Sequence, residues 1–482
     1  MALSLVLVAS FMVVLDFSIV NVALPSIHRD LRFGGDSVQW VVTAYAITFG
    51  GLMVLGGRIA DTVGRRSMFI VGLALFSAAS LAAGLSTDAG LLVAARAIQG
   101  VGAAVVAPAA LSLITARITE GPRRTRALGL YGATASIGYV VGQVLGGVLV
   151  EYGSWRLIFL VNVPVGVIAA LLAPRLVSAD ARRSPSARVD VAGGLLITLA
   201  VGLAVFAISE GPVLGWAQPL VFGALCVGAL ALLAFVAVER SQAHPLIDVR
   251  LLRRRGLRTA ALLTLLVGAW TAGELVVMSV YLQQTLHDSP LMSGLVIAPQ
   301  GAVGFITGMF SARLMRRLGL RTLLVASTAL AGTGFVVLSR LPATGHYNAL
   351  FAAVLLIGCG TVGTSFGATV MAASGMAAAD QGLVSGVVNT TRQVGAAVGV
   401  AVLMAIAEGS RARAGVATVG GDRAALLVAG LVALGGAFVA GFGARPRPTV
   451  GAPVAALVTP TFALDIPTTQ RKGEHCELHR SR

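Results

Sequence analysis

Residues 56–66 read GGRIADTVGRR, and residues 308–321 read GMFSARLMRRLGLR. Each is a short arginine-rich turn between two long apolar runs. Arg58, Gly64 and Arg66 in the first have the same spacing as Arg313, Gly319 and Arg321 in the second. A basic turn that recurs half a chain apart points to two related halves, each built from helices that cross a membrane.

Composition agrees with lipid as the solvent. The chain has 482 residues, of which 56% are hydrophobic and 12% charged, and its mean hydropathy is +0.88. A soluble domain is roughly 25% charged. A formal net charge of +16 would suggest nucleic acid in a soluble protein. Here the arginines fall in patches between apolar runs, so they read as membrane-flanking charges and no nucleic-acid partner is expected. Cys226, Cys359 and Cys476 cannot form a disulfide framework and read as free thiols. The first apolar run does not read as a removable leader: it lacks a basic start and a small-residue cleavage site, and Asp16 interrupts it.

A helix needs about 20 apolar residues to cross the hydrocarbon core, which gives about fourteen candidate spans. They lie near 3–24, 38–57, 67–85, 91–114, 127–150, 156–173, 191–210, 219–237, 259–281, 292–312, 321–338, 347–370, 384–406 and 424–443. Continuous runs rich in Leu, Ala and Gly, without strand alternation, exclude a β-barrel. The fold expected is therefore all-α and integral to the membrane.

Basic residues orient it. Arg58, Arg65 and Arg66 follow the second span, Arg117, Arg123, Arg124 and Arg126 the fourth, and Arg175, Arg182, Arg183 and Arg188 the sixth. RLLRRRGLR (250–258) follows the eighth, and Arg313, Arg316, Arg317 and Arg321 the tenth. Arginine-rich short loops stay cytoplasmic, so these loops share the inner side and both termini lie with them. Arg411, Arg413 and Arg423, between the last two spans, are exceptions. The Pro- and Thr-rich tail reads as disordered, and its HCELH (475–479) as solvated rather than metal-binding.

If two spans separate two six-helix halves, the repeated turn falls at equivalent places. The organisation expected is a first half over 1–173, two extra spans with cytoplasmic loops over 174–258, a second half over 259–443 and a tail over 444–482. Repeats of this kind are a common construction in secondary transporters, with the binding site between them.

Several stretches resemble a known family. Gly57-x3-Asp61-x2-Gly64-Arg65-Arg66 is similar to the loop signature of the major facilitator superfamily, between spans 2 and 3. LDFSIVNVALP (15–25), RAIQGVGAA (96–104), SPLMSGLVIAPQG (289–301) and NTTRQVGAAVGVA (389–401) resemble the fourteen-span drug:proton antiporters within it. SIGYVVGQVLGGVL (136–149) resembles the family's G-x3-G-P-x2-G-G, but Gln143 stands where the family has proline. The resemblance covers all the spans and implies the major facilitator fold with 14 transmembrane helices.

Three charges lie within spans. Asp16 is mid-span, where an ionised carboxylate costs about 2.5–3.5 kcal/mol on insertion scales. It must face a cavity or a cation, as a proton carrier or in an ion pair with Arg96. Arg96 stays charged at any relevant pH. It can snorkel at a helix end or, as the resemblance implies, modulate a carboxylate's proton affinity. Glu274, in span 9, could meet Asp16 across one central cavity. Asn21, Gln99, Tyr139, Gln143, Trp270, Asn389 and Gln393 are candidate cavity residues. Arg392 reads as snorkelling to the inner surface more readily than as lining the lower cavity. Gly57, Asp61, Gly64, Arg65 and Arg66 form a candidate gating loop, in which Asp61 could cap a helix of the other half for roughly 0.3–1 kcal/mol. Gly138, Gly142, Gly146 and Gly147 suit close helix packing.

No phosphate loop of the G-x4-G-K-[ST] type is present at the basic turn, so an ion gradient is the expected energy source. Two buried carboxylates make protons the simplest choice. His28, His244, His287 and His346 all fall in expected loops, which disfavours a membrane-embedded enzyme. No cofactor is expected. The reading is a monomeric proton-coupled exporter of hydrophobic or amphipathic compounds in the cell's inner membrane, with lipid and a small-molecule substrate as its partners. An importer or a dedicated metabolite exporter on the same scaffold is the alternative.

Overall fold

The computed structural model describes residues 1–118, 122–177, 191–241, 254–340, 347–374, 381–414 and 419–443. Arg182, Arg183, Arg188, His244, His346, Cys476 and the stretch 475–479 lie outside them. No strand occurs among the described residues. The helices are α1 (Ala2–Leu31), α2 (Trp40–Val63), α3 (Arg65–Gly84), α4 (Ala89–Arg117), α5 (Pro122–Tyr152), α6 (Leu157–Leu160), α7 (Asn162–Leu176), α8 (Val191–Leu214), α9 (Pro219–Ser241), α10 (Arg255–Val280), α11 (Pro290–Leu318), α12 (Leu320–Leu338), α13 (Tyr347–Ala373), α14 (Gln381–Ala414) and α15 (Val419–Gly443).

Twelve helices among the described residues are long and apolar enough to cross a membrane. The expected count was fourteen; the other two expected spans correspond to α2 and α5, in which apolar stretches of Ser37–Met53 and Ile137–Tyr152 lie among the described residues. The sixth expected span is divided at Val161 into α6 and α7. Leu220, Phe222, Leu230 and Leu233 on α9 are exposed, as suits a helix bathed in lipid.

Local chemistry sets the helix ends. Asp88 caps α4 by accepting from the Leu91 amide at 2.9 Å. Ser289 caps α11 in the same way, accepting from Met292 at 3.2 Å, with Pro290 beginning the helix. The two basic turns share one geometry. Gly64 and Gly319 each stand alone between two helices, with φ of 121° and 81°, values that favour glycine because it has no Cβ. In each, the glycine amide donates four residues back and its carbonyl accepts from four residues on. The bonds are Gly64 to Ala60 and Met68 to Gly64, then Gly319 to Met315 and Leu323 to Gly319.

Helix pairing repeats as well. α1 packs on α5, α2 and α3 on α4, and α3 on α7; correspondingly α10 packs on α14, α11 and α12 on α13, and α12 on α15. The two sets meet through α5 with α11, α2 with α14, and α1 with α10, while α8 touches α2, α14 and α9. Glycines permit the close pairs. A Cβ on Gly142 would strike Ser18 of α1, and one on Gly395 or Gly399 would strike the backbone of Leu265 or Ala269 on α10.

Candidate functional site

The first set of helices encloses a polar cluster in its interior. Arg96 of α4 and Asp16 of α1 pair at 2.6 Å, and neither side chain is exposed. The second carboxylate oxygen accepts from Gln99 Nε2 at 2.7 Å and from Asn162 Nδ2 at 2.8 Å. Arg96 also donates from Nε to the Val41 carbonyl at 2.8 Å and from Nη1 to Gln99 Oε1 at 2.6 Å. Gln99 reaches Ser80 at 2.8 Å. The guanidinium lies over the Tyr45 ring, 4.3 Å from its centroid. An ion pair buried this deeply is tolerated when hydrogen bonds occupy its remaining lone pairs and protons; Gln99, Asn162 and the Val41 carbonyl supply four here, and Arg96 Nη2 has no hydrogen-bond partner among the described residues. Of the two readings of Asp16, the ion pair with Arg96 is the one this geometry displays. Ser80, Asn162 and Val41 were not anticipated; Asn162, an isolated amide in an apolar run, was the available signal.

A cavity of about 950 Å³ lies beside this cluster, between the two sets of helices. Its walls come from α1, α2, α4 and α5 on one side and α10, α11, α13 and α14 on the other. Phe17, Phe49 and Met53 supply apolar surface, Ser10, Tyr131, Thr134, Thr271, Gln300 and Thr361 supply polar groups, and Arg58 and Arg392 supply charge. Because α2 and α11 end, and α5 and α14 begin, on the side of the two glycine turns, Gly57, Arg58, Tyr131 and Asn389 place the cavity toward that side. Phe17 and Phe49 flank Tyr45, with centroid separations of 6.3 and 5.6 Å, and separate the cavity from the Asp16 cluster.

Of the expected cavity residues, Tyr139, Asn389 and Gln393 line it. The others stand behind its wall. Gln99 belongs to the Asp16 cluster. Asn21 turns back to the Phe17 carbonyl at 2.9 Å, Gln143 reaches the Ser18 carbonyl at 3.4 Å, and Trp270 donates to the lining residue Thr361 at 3.1 Å. Arg392, expected at the inner surface, lines the cavity instead. It lies on the same face of α14 as Asn389, Gln393 and Ala396, which also line it.

The expectation that Asp16 and Glu274 face one central cavity is not met, because neither lines it. Glu274, on α10 and 1% exposed, lies one residue behind the wall. It accepts from Gln300 Nε2 of α11 at 3.0 Å, and Gln300 Oε1 accepts from Tyr139 of α5 at 3.3 Å. Gln300 and Tyr139 both line the cavity, so this chain joins Glu274 to the cavity surface and to the opposite set of helices.

The far side of the cavity is sealed. A Cβ on Gly147 would lie 2.5 Å from Leu291 Cα, and one on Gly294 would meet the Gln143 carbonyl. Glu151 accepts from the Leu291 amide at 3.0 Å, and Gln283 donates to the Val22 carbonyl at 2.7 Å. The expected packing glycines divide accordingly: Gly138, Gly142 and Gly146 approach α1, and Gly147 approaches α11. Of the gating-loop residues, Gly57 lines the cavity, and Gly64 makes the turn into Arg65. Arg66 donates to the carbonyls of Pro174 and Val177 at 3.4 and 3.2 Å, within its own set of helices. The side chains of Asp61, Arg411 and Arg413 lie outside the described residues.

A sequence model described as Major Facilitator Superfamily matches residues 6–400. A cephamycin export protein of Amycolatopsis lactamdurans is 42% identical over 412 residues, 84% of each chain. A puromycin resistance protein of Streptomyces alboniger is 41% identical over 416 residues, 85% of this chain and 82% of that one. The crystal structure of an auto-inhibited POT-family peptide transporter matches with a TM-score of 0.71, over 95% of this chain and 100% of that one. Its identity is 16%, so that likeness concerns the fold alone.

Proposed function

The chain belongs to the major facilitator superfamily, and from that membership we propose that it exports hydrophobic or amphipathic antibiotics or related compounds from the cell, in exchange for protons. The observation that carries the reading is the cavity walled by α1, α2, α4 and α5 on one side and by α10, α11, α13 and α14 on the other, sealed at one end. The relatives named for cephamycin export and puromycin resistance support export of this kind of cargo.

In this reading α2 and α5 cross the membrane with the other helices, giving fourteen spans in a monomer. The residues over 1–173 and 259–443 form two rocking halves, and α8 and α9 are the inserted pair. The side bearing the Gly64 and Gly319 turns is cytoplasmic, as are both termini, so the conformation described here is open inward. Substrate enters from the cytoplasm or inner leaflet, the halves rock, and substrate leaves outside.

The proton is assigned to Glu274. Its hydrogen-bond donor Gln300 is a neutral amide, so a bound proton removes a charge that the interior tolerates poorly. Asp16 is already neutralised by Arg96, which suits a pair that holds the first half together and exchanges partners as the halves rock. The gating loop at Gly57, Asp61, Gly64, Arg65 and Arg66 latches the inner ends when they close.

Everted membrane vesicles with an imposed proton gradient test this. A substrate that collapses the gradient, in vesicles containing the protein and not in controls, is the expected result. Gradient-driven uptake into intact cells is the importer's result and would replace this reading.

A further inference from the structure

Arg392 is a charge in the membrane interior that the transport cycle above does not use. It is exposed to the cavity, and its Nη2 donates to Asn389 Oδ1 at 2.9 Å. A guanidinium has five donors in a rigid fork that matches a carboxylate. No salt bridge to Arg392 occurs among the described residues.

The charge balance of the cavity is one-sided. Arg58 and Arg392 are the charged residues among its described lining, and no described lining residue is acidic. The nearest carboxylate in the hydrogen-bond network, Glu274, is screened from the cavity by Gln300. The same cavity has aromatic, apolar surface on its wall in Phe17 and Phe49. Among the described lining residues a cation would meet arginine and no carboxylate, whereas an anion would meet the Arg392 fork donor in a cavity that also has apolar wall. Low-dielectric walls strengthen that preference.

We infer that this cavity selects anionic amphipathic molecules, with Arg392 holding the substrate's carboxylate or comparable anionic group while the apolar body rests against Phe17 and Phe49. The inference rests on the export reading, whose substrate class it narrows.

Binding of three matched probes to the purified full-length protein in detergent tests it: a fluorescent naphthyl carboxylate, its methyl ester and the corresponding primary amine. The carboxylate should bind tightest. Arg392→Gln should weaken carboxylate binding about 10- to 100-fold, the range for losing a hydrogen bond to a charged group, and leave the ester unchanged. Arg392→Lys should recover part of the loss, having the charge without the fork. Equal affinity for the three probes, a preference for the amine, or an equal loss for ester and carboxylate in Arg392→Gln overturns the inference. Should Arg392→Gln not fold, the ranking in the unmodified protein still decides.

Transport of the same probes into everted vesicles separates this from the export reading. Transport of ester or amine without preference for the carboxylate removes the inference and keeps export. Tight Arg392-dependent carboxylate binding, with none of the three transported, keeps the inference and counts against export.

Discussion

Arg96 Nη1 lies 2.6 Å from Asp16 Oδ2 across 80 residues of sequence, and both side chains are wholly buried. The pair joins α4 to α1 inside one set of helices, not across the cavity. Its partners come from α2, α4 and α7, and Gln99 carries the network on to Ser80 of α3, so the charge pair also works as an internal brace.

Removing one member should therefore cost more than removing both. Asp16→Ala leaves a buried guanidinium without its counter-charge, a change worth about 3–5 kcal/mol in buried pairs, and should lower the thermal unfolding midpoint of the purified protein strongly. Asp16→Ala combined with Arg96→Met should recover much of that loss. A double variant as unstable as the sum of the two single ones would remove the brace.

Glu274 should behave differently. Glu274→Gln replaces a carboxylate by an amide of the same shape opposite Gln300 and should fold and bind substrate. Proton release on adding substrate to the purified, weakly buffered protein should disappear. Unchanged proton release in Glu274→Gln would take that residue out of the coupling step.

The two basic turns should respond alike. Gly64→Ala and Gly319→Ala each place a Cβ on a backbone with positive φ and extended ψ, which glycine alone adopts readily, at about 1–3 kcal/mol. Both should reduce thermal stability by similar amounts, since the hydrogen bonds around the two glycines are the same. A large effect at one and none at the other would mean that the turns are not equivalent.

The seal between α5 and α11 should yield to bulk. Gly147→Val puts a side chain where Leu291 and the Pro290 carbonyl already stand, which disfavours the conformation closed on that side. Outer-side labelling of a cysteine introduced at Thr271 should rise in Gly147→Val. No change in labelling would place the seal elsewhere.

The repeated turn was legible because a single residue between two helices requires glycine, and membrane topology marks the place with arginine. The pairing of Asp16 with Arg96 was legible as one of two readings, since opposite charges in oil have few other choices. Side-chain direction was less so. Arg392 was visible as a charge, but spacing along one helix does not say which neighbours that helix turns toward, and the rotation of α14 decides that Arg392 meets the cavity. Gln143 failed for the same reason: it stands in a glycine-rich stretch that packs on α1, and its amide turns to the Ser18 carbonyl. Asn162 and Ser80 are common residue types whose role appears only when α7 and α3 bring them to Asp16 and Gln99.

The central claim is that the cavity between the two sets of helices opens alternately to the two sides of the membrane. In a variant with Cys226, Cys359 and Cys476 replaced, a single cysteine at Ser112 on the cavity wall can be followed with a membrane-impermeant thiol reagent. Without a gradient the reagent should modify it in everted vesicles and not in intact cells, and an imposed proton gradient should shift labelling toward the outer side. Modification from both sides at once, or from neither under any gradient, would contradict the account.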